Sequence, residues 1–326
     1  MSTEGGTRAV VAALLANTGI AVTKFIAFFM TGFSSMLAEA IHSVADAGNQ
    51  GLLLLGGKKS RKEATEEHPF GYGRERYIYS FIVAIVLFSV GGLFALYEAF
   101  HKYEEIHAGH AETVSDWRRF VPVAVLVVAI VLESLSFRTA ILETSKIKGR
   151  ASFPQFIRRA KSPELPVILL EDFAALLGLV FALLGVGLSL ITGNQYWDVA
   201  GTTAIGLLLV AVAVILAIET KSLLLGESAA PEARVRIKAA LETTEGIERV
   251  IHMKTLHLGP EELLVAAKVG VPRDATAADV AAAIDAAERA VRQAEPTSQV
   301  IYVEPDIYVE GHVPDPRPEP PAPVGH

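Results

Sequence analysis

The chain has no cysteine among its 326 residues, which removes disulfides, thiolate metal ligands and cysteine nucleophiles together. Charge is scarce as well: Asp, Glu, Lys and Arg make up 20% of the residues, against about a quarter in an ordinary soluble domain. There is no basic excess, since 29 Lys and Arg stand against 36 Asp and Glu for a net charge of −7. That balance argues against a nucleic-acid partner, because phosphate neutralisation supplies most of such binding. Apolar residues fill the gap, at 51% of the chain with a mean hydropathy of +0.39. A soluble dehydrogenase or kinase is not built this way. The composition points to an integral membrane protein with a soluble tail, in which any metal chemistry must use His, Asp and Glu.

Six apolar runs approach the roughly 20 residues that a membrane-crossing helix needs; they lie at 10–30, 36–55, 77–100, 120–141, 166–191 and 197–218. An even number of spans puts both termini on one side. The connections differ in basic content. Lys58, Lys59, Arg61, Lys62, Arg74 and Arg76 lie between spans two and three, and Lys146, Lys148, Arg150, Arg158, Arg159 and Lys161 between four and five. The opposite connections hold only Lys102, Arg118 and Arg119. The positive-inside rule then places the first set, the N-terminus and everything after Lys221 in the cytoplasm. The opening has no signal-peptide or transit-peptide pattern, and the Ala-rich, compact chain suits a bacterial cytoplasmic membrane.

After Lys221 the pattern becomes that of a soluble domain. A helix is expected at 231–242 with Pro231 at its start, strands at 247–258 and 263–271 around Gly259-Pro260, an amphipathic helix at 275–294 and a last strand at 299–303. The expected organisation is therefore a six-helix transmembrane domain at 1–222, a small cytoplasmic α+β domain of order αββαβ at 223–310, and a disordered tail at 311–326 that holds six prolines.

Ionisable residues inside a span cost at least about 2.5 kcal/mol on insertion scales and are functional candidates by default. Span two carries Glu39, His42 and Asp46. His42 and Asp46 are spaced i, i+4, on one helical face about 6 Å apart, close enough to share a small cation. Span five carries the adjacent acids Glu171 and Asp172 and runs antiparallel to span two in this topology. Imidazole and carboxylate donors without sulfur suit a tetrahedral divalent ion such as Zn²⁺ and disfavour Cu⁺. The plainer alternative for His42 and Asp46 alone is a structural hydrogen-bonded pair between helices. Several carboxylates in one bundle weigh against it, because they repel unless a cation or protons sit among them. Lys24 is expected to snorkel to the outer interface, His107 and His110 to be solvated, and Glu133 with Arg138 to form a structural arrangement.

The run from Ser34 to Asp46, Ser-Ser-Met-Leu-Ala-Glu-Ala-Ile-His-Ser-Val-Ala-Asp, resembles the cation diffusion facilitators. So do the segment His68-Pro69-Phe70-Gly71-Tyr72-Gly73-Arg74-Glu75 and the junction Leu224-Leu225-Gly226-Glu227. The resemblance covers nearly the whole chain. It implies a homodimeric secondary transporter, not an enzyme and without a cofactor. Such a protein moves a divalent cation, zinc first and Fe²⁺, Co²⁺ or Mn²⁺ next, out of the cytoplasm in exchange for protons. The implied ligands are His42 and Asp46 on span two and, counted from Gly178, Asp172 on span five. The zinc members' span-five His falls on Ile168, so Glu171 or water is expected to complete the site, a pattern similar to the zinc transporter nine-like branch. The loop site of many relatives, His-x-x-x-His, reads His68 and Tyr72 here. On the soluble strands His252 and His257 are five apart and point to opposite faces; with only Glu304 and Asp306 beside them, the domain is expected to dimerise rather than to sense metal. The rival expectation is a membrane scaffold of the same fold that transports nothing.

Overall fold

The computed structural model describes residues 18–109, 120–149 and 151–310; His110 and the tail at 311–326 lie outside them. The chain forms two compact units that divide between Gly226 and Glu227.

In the first unit, α1 (Thr18–Thr31) ends at Gly32, whose positive φ of 68° is cheap only for glycine. Helix α2 (Ser34–Lys59) follows with Phe33 as an extended N-cap residue that offers no side-chain cap. The cap comes instead from another helix. Asp198 Oδ2 accepts from Ser34 N–H and Ser34 Oγ at 2.9 Å each, and Ser35 Oγ donates to Asp198 Oδ1 at 2.5 Å. A carboxylate at a helix N-terminus satisfies free N–H groups and faces the positive end of the dipole.

Helix α3 (Glu75–His107) contains a π-helical stretch at Leu87–Leu93. Then come α4 (Val121–Ile147), the short α5 (Phe153–Arg159), α6 (Glu164–Thr192), closed by left-handed Gly193, and α7 (Tyr196–Leu225). Arg76 on α3 pairs with Glu164 at the start of α6. Among the described residues, α3, α4, α6 and α7 are long and apolar enough to cross a membrane. Helix α2 has the length, with 26 residues, but is interrupted by Glu39, His42 and Asp46. The polar residues that make α2 interesting thus keep it out of an apolar count.

Glycine lets α6 and α7 touch backbone to backbone. A Cβ on Gly201 would lie 2.8 Å from Phe181 O, and one on Gly185 would lie 2.9 Å from Trp197 O. Buried side chains of this unit include Met36, Leu87, Leu126, Leu179, Ile205 and Leu209, whereas Phe29, Val128, Leu184, Ile191 and Leu207 are exposed, as lipid-facing residues of a bundle are.

The second unit is α8 (Pro231–Glu242), β1 (Arg249–Gly259), β2 (Glu262–Gly270), α9 (Ala277–Ala294) and β3 (Ser298–Asp306). The sheet order is β1-β2-β3, antiparallel between β1 and β2 and parallel between β2 and β3. A parallel pair needs a crossover, which α9 supplies. Along β2, Leu263, Val265, Ala267 and Val269 are buried on alternate positions, and they meet Ile237 and Leu241 of α8 and Ala287 and Val291 of α9. A capping box starts α9, with Asp279 N–H donating to Thr276 Oγ1 at 3.2 Å and Thr276 N–H to Asp279 Oδ2 at 3.0 Å. The hydrogen bonds from Thr276 hold the Asp279 carboxyl below its ordinary range.

Candidate metal centre

Positions 39, 42, 46 and 49 recur at helical spacing, so α2 presents Glu39, His42, Asp46 and Asn49 as one polar stripe. Glu39 and Asn49 are completely buried and His42 nearly so, because the stripe faces inward against other helices. His42 Nε2 lies 3.5 Å from Asp46 Oδ2. Yet among the described residues neither imidazole nitrogen has a hydrogen-bond partner, and the same holds for Glu39 Oε1, Asp46 Oδ1, Asn49 Oδ1 and Gln50 Oε1. Buried polar atoms are normally satisfied, so a helix that leaves this many lone pairs bare on one side is suited to accepting a cation or protons.

The span-five acids reach this stripe unequally. Asn49 Nδ2 donates to Glu171 Oε1 at 2.7 Å and ties α6 to α2. Adjacent residues project about 100° apart on a helix, and Asp172 accordingly turns towards α4, where Ser136 Oγ donates to its Oδ2 at 2.9 Å. Asp46 remains in electrostatic contact with both acids. Among the described residues, no three His, Asp or Glu side chains are gathered tightly enough to hold an ion as they stand. Ile168, one turn before Asp172, is 37% exposed and brings no donor.

Four features depart from expectation or were missed. Lys24 does not snorkel: it is 2% exposed, and its ammonium donates to Glu39 Oε2 at 2.9 Å and Ser43 Oγ at 2.8 Å. The sequence signal was the near-symmetric placement of Lys24 and Glu39 about the break at Gly32, which levels them when the chain doubles back. Glu133 is partly buried and interacts electrostatically with Asp46 and Asp172, so it borders the candidate site. Asp198 was unassigned, although an acid in the first turn of an otherwise apolar helix was visible. Gly91, in the π-helical stretch, borders His42: a Cβ there would come 3.9 Å from His42 Nδ1. Such π segments recur at functional sites.

The peripheral candidates are engaged otherwise. The His68 ring meets Tyr72 edge-on at 4.7 Å. His252 is exposed and His257 buried, as strand alternation requires, and His257 Nδ1 lies 3.3 Å from Gly259 O. Lys268 Nζ pairs with Glu304 at 3.0 Å and Asp306 at 3.2 Å. Their hydrogen bonds raise the Lys268 pKa, and the ammonium occupies both acids.

A membrane unit with an inward polar stripe of this kind belongs to the class of ion-handling membrane proteins. The profile of the cation efflux transmembrane domain matches residues 10–225, and the chain belongs to that family, the cation diffusion facilitators, a family of transporters rather than enzymes. It is 33% identical over 259 residues to the mouse (Mus musculus) protein named proton-coupled zinc antiporter SLC30A9, mitochondrial, a match covering 78% of this chain and 44% of the relative. It is 26% identical over 261 residues to metal tolerance protein C4 of Arabidopsis thaliana, covering 78% and 54%. To the magnetosome protein MamB of Magnetospira sp. (strain QH-2) it is 31% identical over 175 residues, covering 53% and 54%. The chain thus spans about half the length of these relatives. Within the family it stands close to the SLC30A9 branch.

Proposed function

We propose that this protein exports a divalent cation, zinc first, from the cytoplasm in exchange for protons, through a site between α2 and α6 made by His42, Asp46 and Asp172, with Glu171 as the fourth donor. No covalent bond is made or broken. The observation that carries the reading is the 2.7 Å bond from Asn49 to Glu171, which joins the two helices beside the unpartnered lone pairs of His42 and Asp46. The zinc antiporters among the relatives support the same ion and the same exchange. At cytoplasmic pH a neutral imidazole and ionised carboxylates accept the ion; protonation after outward exposure releases it. Helices rocking about a mid-membrane site provide the alternating access.

The surrounding architecture belongs to the proposal. Residues 1–222 form six spans, with α1 and α2 added to the four strongly apolar helices, and 223–310 form a cytoplasmic domain that joins two copies into a homodimer. Both termini lie in the cytoplasm, and the membrane is a bacterial cytoplasmic one. The SLC30A9 relatives carry a mitochondrial designation, and the type of membrane is a separate proposition from the transport chemistry. The ungathered state of the ligands favours the second reading, a scaffold of the same fold that transports nothing.

Zinc uptake into proteoliposomes separates the two. Asp46→Ala and Asp172→Ala should each abolish saturable flux while the protein stays folded, because each removes a charged ligand from a dry site with few others. Unimpaired flux in both variants would sink the assignment.

A further inference from the structure

The proposed transport site gives Glu39 no role, yet Glu39 is the most enclosed acid of the stripe. It is fully buried, and its two carboxylate oxygens have different surroundings. Oε2 accepts from Lys24 Nζ at 2.9 Å, and the same ammonium also donates to Ser43 Oγ at 2.8 Å and to Glu39 O at 3.4 Å. Oε1 has no donor. It is aimed across the interface at α6, where a Cβ on Gly178 would lie only 2.8 Å away. Any residue but glycine at 178 would press on that oxygen.

A purely structural ion pair does not need this asymmetry. Leaving a buried carboxylate oxygen bare costs free energy unless a proton or cation comes to it. Glu39 stands three residues before His42 on the same face, about 4.5 Å along the helix axis, and the His42 ring nitrogens are bare as well. Lys24 anchors one oxygen and leaves the other facing α6.

We propose that Glu39 Oε1 is a further binding oxygen for the divalent ion, one helical turn from His42 towards the Ser34 end of α2, which receives the ion as it leaves His42 and Asp46. Lys24 is its positioning residue. As a fixed positive charge, Lys24 also repels the arriving cation, so the ion's stay is brief and the station serves passage rather than storage. The inference rests on the transport reading above and deepens it: under the positive-inside topology, the Ser34 end of α2 is the exit side.

The test uses the full chain in proteoliposomes, with zinc as the probe. The double variant Lys24→Met/Glu39→Gln removes the pair at constant net charge, an exchange that buried ion pairs often tolerate. Gly178→Ala keeps the pair and places a methyl against Oε1, the free end of a flexible side chain. Both should lower maximal zinc flux about tenfold while calorimetric zinc affinity changes less than about threefold, the pattern of a step lost after binding. Lys24→Met alone should tighten zinc binding, because the repulsion is gone and Glu39 is released. Wild-type flux in Gly178→Ala and in the folded double variant, with Asp46→Ala inactive, would overturn the role of Glu39 and leave the transport site standing. If the double variant fails to fold, Gly178→Ala decides alone. Normal flux in Asp46→Ala would overturn the transport site, and the Glu39 station with it.

Discussion

At the scale of single residues, the contest is between Glu171 and the position of Ile168. Glu171 is drawn to α2 by Asn49 at 2.7 Å, whereas Ile168 is 37% exposed and has nothing to donate. If Glu171 is a ligand, Glu171→Gln should weaken calorimetric zinc affinity several-fold, since a neutral oxygen replaces a charged one. If water fills the position, Glu171→Gln should change little and Ile168→His should tighten zinc binding, because an imidazole suits zinc. No effect from either variant would mean that the span-five half of the site lies elsewhere. His42, Asp46, Glu171 and Asp172 were readable as candidates because ionisable groups are costly in an apolar run. The role of Lys24 was not, because the same lysine can snorkel or pair and only the neighbouring helix decides.

At the scale of elements, close glycine contacts govern how the helices meet. Gly201 admits no Cβ without pushing on Phe181 O at 2.8 Å and Gly185 Cα at 3.2 Å. Those are backbone atoms that cannot rotate aside, so Gly201→Ala must separate α6 from α7. We expect it to lower the thermal midpoint of the purified protein clearly, since overpacking costs about 1–3 kcal/mol. Gly187, on the same helix as Gly185, has open space within 4 Å. There Gly187→Ala should leave stability unchanged or raise it by up to about 1 kcal/mol through helix propensity. Equal losses from the two substitutions would contradict the packing account. Element order was legible: helix, two strands, helix and strand after Lys221 follow from periodicity and turn residues. The π-helical stretch at Leu87–Leu93 was not legible, since its apolar residues read as one uninterrupted span.

At the scale of the whole molecule, two properties can be measured directly. The absence of cysteine makes single-cysteine labelling clean. In sealed vesicles, Thr7→Cys, Arg61→Cys and Glu227→Cys should react from the same side and Glu104→Cys from the other. Labelling of Thr7→Cys with Glu104→Cys would rule out the six-span topology. The second property is coupling. The proposed ligands must be deprotonated to bind metal, so affinity should fall as pH drops and protons compete for them. Binding at a pH low enough to protonate one of the ligands should then release roughly one proton per ion. In proteoliposomes with an imposed pH gradient, zinc entry should drive proton counter-movement seen by an internal dye. His42→Asn should reduce that signal more than it reduces equilibrium binding. Zinc flux that ignores the gradient and moves no protons would make the protein a uniporter.

The sequence by itself determined the membrane class, the two-part organisation, the family and the four ionisable candidates. The family rests on the resemblance of its motifs and the others on local composition, periodicity and spacing, all of them one-dimensional properties. The tertiary structure decided which partners those residues have: Asn49 for Glu171, Ser136 for Asp172, Lys24 for Glu39, and Asp198 as the cap of a helix some 160 residues earlier. Each of those contacts joins different helices. Which face of one helix meets another is set by the packing of the bundle and by the few glycines that let backbones touch.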